Sequence, residues 1–316
     1  MRDAFNAELH RIAARDPEVL LLTADIGFKV FDQFRADYPG RFINMGVAEA
    51  NLMTVAAGLA MSGKRPFVYT IIPFLTMRAF EQIRVDACIQ NQPIKIIGVG
   101  GGLAYGILGP THHSIEDVAI LRALPNMTVL VPCDPIETGL AIQAAYEHPG
   151  PVYVRLGKNG EPNLHAGTYD FKIGRAVVMR EGQDAALIVS GPIAHLGLKA
   201  VENLSKQGIH VRVINMHSIK PIDAEAIVRA ARETKAVLTL EEHNIIGGLG
   251  SAVAEVLAEE AAGVPFKRLG IRDTFSYGVG SQEHHFKERG LTVDAVQEAV
   301  LDLLRQRTTD PMVVEA

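Results

Sequence analysis

Short apolar runs recur through the first half of the chain and alternate with longer stretches of helical periodicity. Each run is rich in Val, Ile or Leu and is bounded by Gly, Pro or Asp, which is typical of buried strands. The predicted strands lie in VLLLTADIG, RPFVYTII, IKIIGVGGG, MTVLVP and PVYVRLG. Apolar strands that alternate with helices predict a parallel sheet covered by helices on both faces.

The alternation stops over residues 158–173, where Gly, Pro and Asn are frequent, and then resumes. Three further strands are predicted in AALIVSG, HVRVINM and AVLTLEE, with amphipathic helices between them. We therefore predict an α/β protein with two doubly wound domains. The first covers residues 1–157, a linker covers 158–173, a smaller domain covers 174–308, and 309–316 form a loose tail.

Composition narrows the class of protein. The 316 residues are 48% hydrophobic and 21% charged, with a net charge of -5, so neither nucleic acid nor an anionic membrane is an expected partner. The N-terminal amphipathic helix carries acids and resembles no targeting peptide, and no apolar run is long enough to span a bilayer. Cys88 and Cys133 lie in apolar runs, as expected of reduced, buried thiols in a cytoplasmic protein.

One acid interrupts the apolar run INMGVAEANLMTVAAGLA, which covers residues 43–60. Glu49 at the first turn of a helix is stabilised by the helix dipole, which explains most acids in this position. Here the helix is almost wholly apolar, so we expect its start to be buried. A buried carboxyl group is protonated or has a partner, and it suits a heterocycle nitrogen that needs a hydrogen-bond donor.

Two adjacent histidines occur in the turn LGPTHHSIED, before an amphipathic helix. A capped helix explains Ser114 as N-cap and the acids Glu116 and Asp117, but it does not explain His112. A loop histidine beyond a strand is well placed for proton transfer near neutral pH. Adjacent histidines without further ligands make a poor metal site, so we assign no metal to this chain alone.

Ligands of an open parallel sheet bind beyond the carboxyl ends of its strands. That rule points to Asp25, to residues 69–74 and 100–113, and to Arg155, and it includes Glu49 if RFINMG is an edge strand. The loop GVGGGLAYGILG lacks the dinucleotide fingerprint and the P-loop lysine, so we interpret it as a close approach of backbone to a ligand. Arg155 fits either an ion pair or a phosphate or carboxylate ligand.

Several of these stretches occur together in the order and spacing of the transketolase family, which the chain resembles along nearly its whole length. They are NMGVAEANLMTVAAGLAMSGKRPFV, FLTMRAFEQIR, GPTHHSIED, VYVRLGKN, INMHSIKPID and LEEHNIIGGLGSAVAEVL. The resemblance implies a thiamine pyrimidine-binding domain followed by a transketolase C-terminal domain. The GDG…N motif of that family, which holds magnesium and the diphosphate of thiamine diphosphate, does not occur here.

The resemblance therefore implies the C-terminal subunit of a split transketolase. Its partner would be an N-terminal, diphosphate-binding subunit, in an α2β2 heterotetramer with active sites between unlike subunits. The partner would hold most of the contacts to Mg²⁺ or Ca²⁺. The implied activity is transfer of a two-carbon ketol unit, or a related acyl anion, from a ketose or 2-oxo donor to an aldehyde.

Matching positions imply roles at the cofactor. Glu49 would bond the aminopyrimidine nitrogen, so that the ring takes its imino form and removes the proton of the thiazolium carbon. Phe74 would stack on the pyrimidine. Asp25, Ile72 and Arg78 would complete the cofactor contacts.

The same resemblance implies roles at the substrate. His112 would be catalytic together with the cofactor acid, contacting a hydroxyl or carbonyl oxygen of the substrate. Arg155 would grip the sugar phosphate, and Leu108, Lys29 and His113 would line the substrate site.

Two positions depart from the family pattern. Leu108 stands where an aspartate usually contacts a donor hydroxyl, and Gly100 stands where a histidine usually contacts phosphate. A substrate group that loses its hydrogen-bond partner changes discrimination strongly. We therefore expect a donor or acceptor outside the standard sugar phosphate pair.

Three alternatives remain open from the sequence. The same scaffold serves deoxyxylulose-phosphate synthase and the β subunit of 2-oxo-acid dehydrogenase complexes. The former is normally one fused chain, and the latter usually lacks GPTH. A non-catalytic regulatory or binding subunit is the third alternative, and the intact Glu49, Phe74 and His112 argue against it.

Overall fold

The computed structural model describes residues 1–158 and 160–308. The helices are α1 (Arg2–Arg15), α2 (Asp32–Asp37), α3 (Glu49–Met61), α4 (Phe80–Gln82), α5 (Asp117–Arg122), α6 (Pro135–Glu147), α7 (Ala194–Ser205), α8 (Ala224–Glu233), α9 (Leu249–Glu259), α10 (Gln282–Glu288) and α11 (Val293–Thr308). The strands are β1 (Val19–Thr23), β2 (Phe42–Asn44), β3 (Arg65–Ile71), β4 (Lys95–Val99), β5 (Thr128–Leu130), β6 (Val152–Leu156), β7 (Val177–Arg180), β8 (Ala185–Ser190), β9 (Val211–Asn215), β10 (Ser218–Lys220), β11 (Val237–Asn244) and β12 (Phe266–Ile271).

The first sheet has seven strands in the order β10-β5-β6-β4-β3-β1-β2. All neighbours pair in parallel except β10, which is antiparallel to β5. Helices α1 and α6 pack together over one face, while α3 and α5 help to form the core on the other. The predicted parallel sheet with helices on both faces is confirmed. β10 comes from the second half of the chain, so the two halves share a sheet edge.

The second sheet has five strands in the order β12-β11-β8-β9-β7, parallel except for the pair β7 and β9. Helices α7 and α11 pack against each other, and so do α8 and α9. The strand β8 is buried on both faces, which explains its continuous apolar run, whereas β11 is also buried but carries the acids Glu241 and Glu242 in its second half.

Every strand predicted from the pattern is present, and three strands were not predicted. β7 is a half-buried edge strand, β10 has three residues, and β12 carries Lys267 and Arg268, so none shows a continuous apolar run. The single helix predicted in FLTMRAFEQIRVDACIQ is instead two π-helical segments, Phe74–Arg78 and Ile83–Ile89, on either side of α4. Such π-helical turns often occur at functional sites.

The stretch predicted as a linker has no helix or strand among its described residues, yet it is held by specific contacts. The Asp134 carboxylate accepts hydrogen bonds from the backbone amides of Leu164 and His165, at 2.8 and 2.7 Å. The Phe171 ring stacks on His217, with ring centroids 4.1 Å apart. This stretch therefore packs against both halves of the chain. The predicted tail, 309–316, lies outside the described residues.

None of the helices within residues 1–158 and 160–308 combines the length and apolar character that a bilayer crossing requires.

Candidate active site

The parallel strands of the first sheet all have their carboxyl ends on the same side of the sheet, which we call its carboxyl edge. The loops that follow these strands carry the candidate residues. β1 leads to Asp25, β3 leads to Phe74, and β4 leads into the glycine loop that ends at His112. The edge strand β2 leads through a short turn to Glu49 at the start of α3. The condition set on RFINMG is met, because it contains the edge strand β2, and Glu49 therefore lies with the other candidates beyond the carboxyl ends of the strands.

Glu49 is 4% exposed, although it is the first residue of its helix. Nη1 of Arg78 lies 3.2 Å from Oε1 and 3.3 Å from Oε2 of the carboxylate. The Arg78 side chain is 51% exposed, so the cation reaches the buried acid from the solvent side. Glu49 is therefore buried as predicted, although the next two residues of the helix, Ala50 and Asn51, are half-buried and exposed.

Phe74 joins this acid to His112. The guanidinium carbon of Arg78 lies 4.2 Å from the centroid of the Phe74 ring. The Phe74 and His112 ring centroids are 5.0 Å apart, with an edge-to-face angle of 75°. Residues that are widely separated in the chain therefore form one connected cluster of Glu49, Arg78, Phe74 and His112, which we call the Glu49 cluster.

His112 is half-buried, and its Nδ1 lies 3.0 Å from the Thr111 hydroxyl oxygen. Burial lowers the pKa of His112, and the positive charge of Arg78 lowers it further. The imidazole is therefore neutral near pH 7 and can accept or share a proton.

We predict that Arg78→Gln raises the pKa of His112. The substitution removes a cation that disfavours the imidazolium, so the protonated form becomes easier to reach. An NMR titration of the histidine ring protons measures the shift, and His112→Asn identifies the resonance. Arg84→Gln removes a cation from the neighbouring π-helical segment and should leave the titration unchanged. A His112 pKa that stays the same or falls in Arg78→Gln would contradict the prediction.

Asp25 lies beside the turn that leads to Glu49. Its backbone amide donates to Oδ1 of Asn44 at 2.9 Å, and Nδ2 of Asn44 donates back to the Asp25 carboxylate at 3.1 Å. The Asn44 amide oxygen also accepts from the amide of Gly46 at 3.0 Å. Asp25 is exposed with a φ of 51°, and Lys29, also exposed, has a φ of 66°. The structure places both at the same sheet edge, but joins neither to the Glu49 cluster by a described contact.

Three other predicted residues occupy distinct environments. The Ile72 side chain is fully buried in the core. His113 is buried and faces His285, with ring centroids 5.2 Å apart, so its side chain is directed away from solvent. Leu108 is 48% exposed in a short 3-10 helix, Gly106–Leu108, three residues before Thr111.

Arg155 is not part of the Glu49 cluster. It is 4% exposed, and its Nε donates to the fully buried Asp117 at 2.9 Å. Its Nη2 donates to the carbonyl oxygens of Ser114, at 2.7 Å, and Glu242, at 3.0 Å. Burial opposes ionisation of Asp117, but Arg155, His243 and the hydrogen bonds from Tyr153 and Ser114 together outweigh it and hold the pKa of that carboxyl below its usual range. Arg155 thus ties the helix after the histidine turn to the second half of the chain.

The expected N-cap role of Ser114 is wrong. α5 begins at Asp117 with Glu116 as its N-cap residue, whereas Ser114 forms a β-bridge with Gly102. The two backbone hydrogen bonds of this bridge, at 2.9 and 2.8 Å, close the glycine loop against the histidine turn. Pairing across the loop therefore replaces the local cap.

Sequence reasoning missed Tyr105 and Lys158. The Tyr105 ring lies 6.2 Å from the His112 ring, and the Lys158 ammonium lies 4.9 Å from the Tyr105 centroid. A Cβ atom added at Gly100 would come within 2.0 Å of the Tyr105 ring, at a φ of 88°. The tyrosine therefore fills the space beside Gly100. Two sequence signals pointed here, the position of residues 100–113 beyond a strand and the departure from the family pattern at Gly100.

One group of potential metal ligands occurs among the described residues. Ligand atoms of Cys133, Glu137 and His165 lie within 4.8 Å of one another. The Glu137 carboxylate accepts from Asn215 at 2.7 Å, and Nδ1 of His165 lies 3.0 Å from Asp134. Protein groups thus already surround these ligands, and burial together with the two carboxylates raises the pKa of the Cys133 thiol. A protonated thiol is a weak ligand.

The fold, together with the candidate site at the carboxyl ends of the strands in the first sheet, defines the class of the protein. Residues 1–161 match the family described as transketolase, pyrimidine binding domain, and residues 174–296 match transketolase, C-terminal domain. The chain belongs to the transketolase family, whose members generally use thiamine diphosphate.

Its relatives specify the kind of transketolase. The chain is 36% identical to one subunit of the apulose-4-phosphate transketolase of Phocaeicola vulgatus, over 96% of this chain and 97% of the relative. It is also 36% identical to the 6-deoxy-6-sulfo-D-fructose transketolase subunit SqwH of a Clostridium species, over 97% of this chain and 95% of the relative. 1-Deoxy-D-xylulose-5-phosphate synthases also match, over about half of their own length.

A solved structure agrees with these relatives. The chain superimposes on a split-gene transketolase, described as an inactive β4 tetramer, with a TM-score of 0.88 and 41% identity. The match covers 97% of this chain and 98% of that one. The protein is therefore a transketolase-like transferase subunit of the split type, as the sequence predicted.

Proposed function

We propose that the Glu49 cluster holds the aminopyrimidine end of thiamine diphosphate in an enzyme that transfers a two-carbon ketol unit to an aldehyde. The observation that carries this proposal is the buried Glu49 carboxylate, at a helix start and joined through Arg78 and Phe74 to His112. A buried acid beside a half-buried aromatic ring matches a flat heterocycle with a basic nitrogen.

The residues present fit the cofactor. The Glu49 carboxyl group would share a proton with the ring nitrogen, and the Phe74 ring would offer the flat face on which the pyrimidine stacks. Arg78 would have to leave the carboxylate for this bond to form, and its 51% exposed side chain has room to do so. When bound, thiamine diphosphate supplies the nucleophilic carbon that carries the ketol unit.

His112 is the group we assign to the substrate. Its ring packs edge-to-face against Phe74, and it is neutral near pH 7, because burial and the Arg78 charge lower its pKa. A neutral imidazole can accept a hydrogen bond from a substrate hydroxyl and move its proton. Asp25, Ile72, Lys29 and His113 keep their predicted cofactor or substrate roles only as predictions.

We also propose an N-terminal partner subunit that binds the diphosphate and its Mg²⁺ or Ca²⁺, in an α2β2 assembly. Three observations support this. The family's GDG…N motif is absent from the 316 residues, and the relatives are named as subunits of transketolases. The similar solved chain is described as inactive when assembled as a β4 tetramer.

We propose that the substrate is a sugar with an anionic terminal group. We also propose that the donor and acceptor are not the standard sugar phosphate pair of transketolases. The substrates for which two relatives are named share such a group, as a phosphate ester in one and a sulfonate in the other. Leu108 stands at the position where the family usually has an aspartate that contacts a hydroxyl. Tyr105 fills the space beside Gly100, where the family usually has a histidine that contacts phosphate. The hydroxyl and phosphate contacts therefore differ from those of standard transketolases.

Reconstitution tests this proposal. We expect the chain to show ketol transfer only after mixing with a partner that carries GDG…N, thiamine diphosphate and Mg²⁺, when donors are screened against acceptors. Xylulose 5-phosphate with ribose 5-phosphate should be a poor pair, because Leu108 leaves the donor hydroxyl unpaired. Each subunit alone, with cofactor and metal, is the control. Turnover of the standard pair at ordinary transketolase efficiency would refute the proposed substrate class, and no turnover with any pair would refute the function.

A further inference from the structure

We propose that Glu242, on β11 in the second half of the chain, is a positioning residue that holds the glycine loop and, with it, His112. This inference rests on the proposed function, in which His112 contacts the substrate. No described contact joins Glu242 to the Glu49 cluster, so Glu242 would act on the site through the loop.

The glycine loop needs an anchor, because most of its backbone is irregular. It runs from the end of β4 to His112 and contains a short 3-10 helix, Gly106–Leu108. The β-bridge between Gly102 and Ser114 closes the base of the loop. Tyr105 and His112 lie in the stretch that this bridge closes, so the bridge alone does not determine where their rings lie.

Glu242 provides an anchor directly after the bridge. Its side chain is buried, and Oε1 accepts from the backbone amide of Leu103 at 2.6 Å and from Nε2 of Gln282 at 2.8 Å. A Cβ atom added at Gly102 would lie 2.3 Å from the carboxyl carbon of Glu242, so the loop backbone packs directly on this side chain. Glu242 therefore joins the glycine loop to α10.

A second contact, from α10, holds the next part of the loop. His285 is fully buried, and its Nε2 donates to the carbonyl oxygen of Gly106 at 3.1 Å. Its ring also packs against the ring of His113. The segment from Leu103 to Gly106, which carries Tyr105, is therefore bonded at both ends to the second half of the chain.

The anchored segment supports His112 through Tyr105. The Tyr105 and His112 ring centroids are 6.2 Å apart, with an edge-to-face angle of 65°. Leu103 is fully buried, and a buried amide without an acceptor is costly, so loss of the Glu242 carboxyl group would make the loop shift. That shift would move the imidazole away from Phe74. A displacement of about 1 Å at a reacting group can lower a rate about 10²-fold.

The neighbouring acid, Glu241, offers a matched control. It is also buried on β11, and its carboxylate accepts from the backbone amides of Leu249 and Gly250, at 2.7 and 2.8 Å. These amides belong to the start of α9, in the same half of the chain. The two adjacent acids therefore have similar burial and two described donors each, but the bonds of Glu242 reach the glycine loop.

The test measures steady-state kinetics of the two-subunit enzyme with the best donor and acceptor from the screen. We expect Glu242→Ala to lower kcat/KM about tenfold or more, because the Leu103 amide loses its acceptor. Glu242→Gln keeps an oxygen at the acceptor position and should restore most of this loss. Glu241→Ala should change kcat/KM less than about twofold, although urea denaturation should show a loss of stability in both alanine variants.

Two further readouts separate positioning from general damage. Burial lowers the pKa of His112, so a loosened loop in Glu242→Ala should raise that pKa towards its ordinary value in an NMR titration of the full chain, and Glu241→Ala should not. Deuterium exchange at the thiazolium C2 of the bound cofactor depends on Glu49 and should change less than about twofold. His285→Phe removes the other anchor and gives a second test that does not depend on the folding of Glu242→Ala.

The proposal is overturned if Glu242→Ala and His285→Phe both keep wild-type kcat/KM, or if Glu241→Ala loses as much as Glu242→Ala. It is also overturned if C2 exchange in Glu242→Ala falls as far as turnover does, because Glu242 would then support the site as a whole. A His112 pKa that rises in Glu242→Ala but not in Glu241→Ala, in an enzyme without ketol transfer, would instead refute the proposed function and leave the positioning role standing.

Discussion

Glu49→Ala will lower ketol transfer by the assembled enzyme by about 10³-fold, within the range expected when a positioned acid–base group is lost. The carboxylate is 4% exposed and pairs with the half-exposed cation of Arg78. Glu49 is the one acid of the Glu49 cluster, so no other carboxylate of the cluster can replace it. Steady-state kinetics with the best donor and acceptor from the screen measure the loss in kcat.

Two controls separate chemistry from folding. Glu49→Gln keeps the size of the side chain and the capacity to hydrogen-bond, but not the capacity to exchange a proton, so it should be nearly as inactive as Glu49→Ala. Glu81→Gln removes an acid from the nearby α4 and should keep wild-type turnover. Wild-type kcat in Glu49→Ala, in an assembly with bound cofactor, would show that the assigned role of Glu49 is wrong.

Arg155→Met will lower the free energy of unfolding of the chain by about 3–5 kcal/mol, the usual range when one partner of a buried ion pair is removed. The fully buried Asp117 would lose the 2.9 Å contact from Arg155, and two backbone carbonyl oxygens would lose their donors. Urea denaturation of the isolated chain, followed by circular dichroism, measures the change.

The pKa of Asp117 determines how the loss of stability in Arg155→Met changes with pH. The folded-state pKa of Asp117 is lowered in the wild type, so its stabilising contribution is present above the unfolded pKa of an aspartate and disappears as the pH falls through the lower, folded value. Without Arg155, burial would be opposed only by His243 and by the hydrogen bonds from Tyr153 and Ser114, so the pKa of Asp117 should rise and acidification should relieve part of the loss. Asp117→Asn combined with Arg155→Met should recover part of the stability, because no charge is then buried unpaired. A loss below about 1 kcal/mol would contradict a structural role for Arg155.

The fold was largely predictable from the sequence, because buried parallel strands consist of continuous apolar residues. The strands β1, β3, β4, β6 and β8 are of this kind. β7 and β12 were not predicted, because their residues are only partly buried or charged. β10 was not predicted, because three residues are too few to show a hydrophobic periodicity. The sharing of β10 between the two halves depends on tertiary packing that no local pattern records.

The candidate site was predictable only in part. The apolar surroundings of Glu49 indicated a buried acid, and the family motifs added Phe74 and His112, which the structure joins in one cluster. Arg155 looked the same from sequence whether it faced a ligand or a buried carboxylate, since the deciding neighbour, Asp117, lies 38 residues away. The ring of Tyr105 beside Gly100 likewise follows from the path of the loop and not from its composition.

The most direct test of the central claim is the rate at which the thiazolium C2 proton of bound thiamine diphosphate exchanges for deuterium. Quenched-flow NMR on the assembled enzyme measures it without any substrate. We predict fast exchange in the wild type, and a rate close to that of the free cofactor in Glu49→Gln, because the aminopyrimidine then lacks the acid that sets its tautomer. Equal exchange rates in the two enzymes, with the cofactor bound in both, would contradict the role of Glu49.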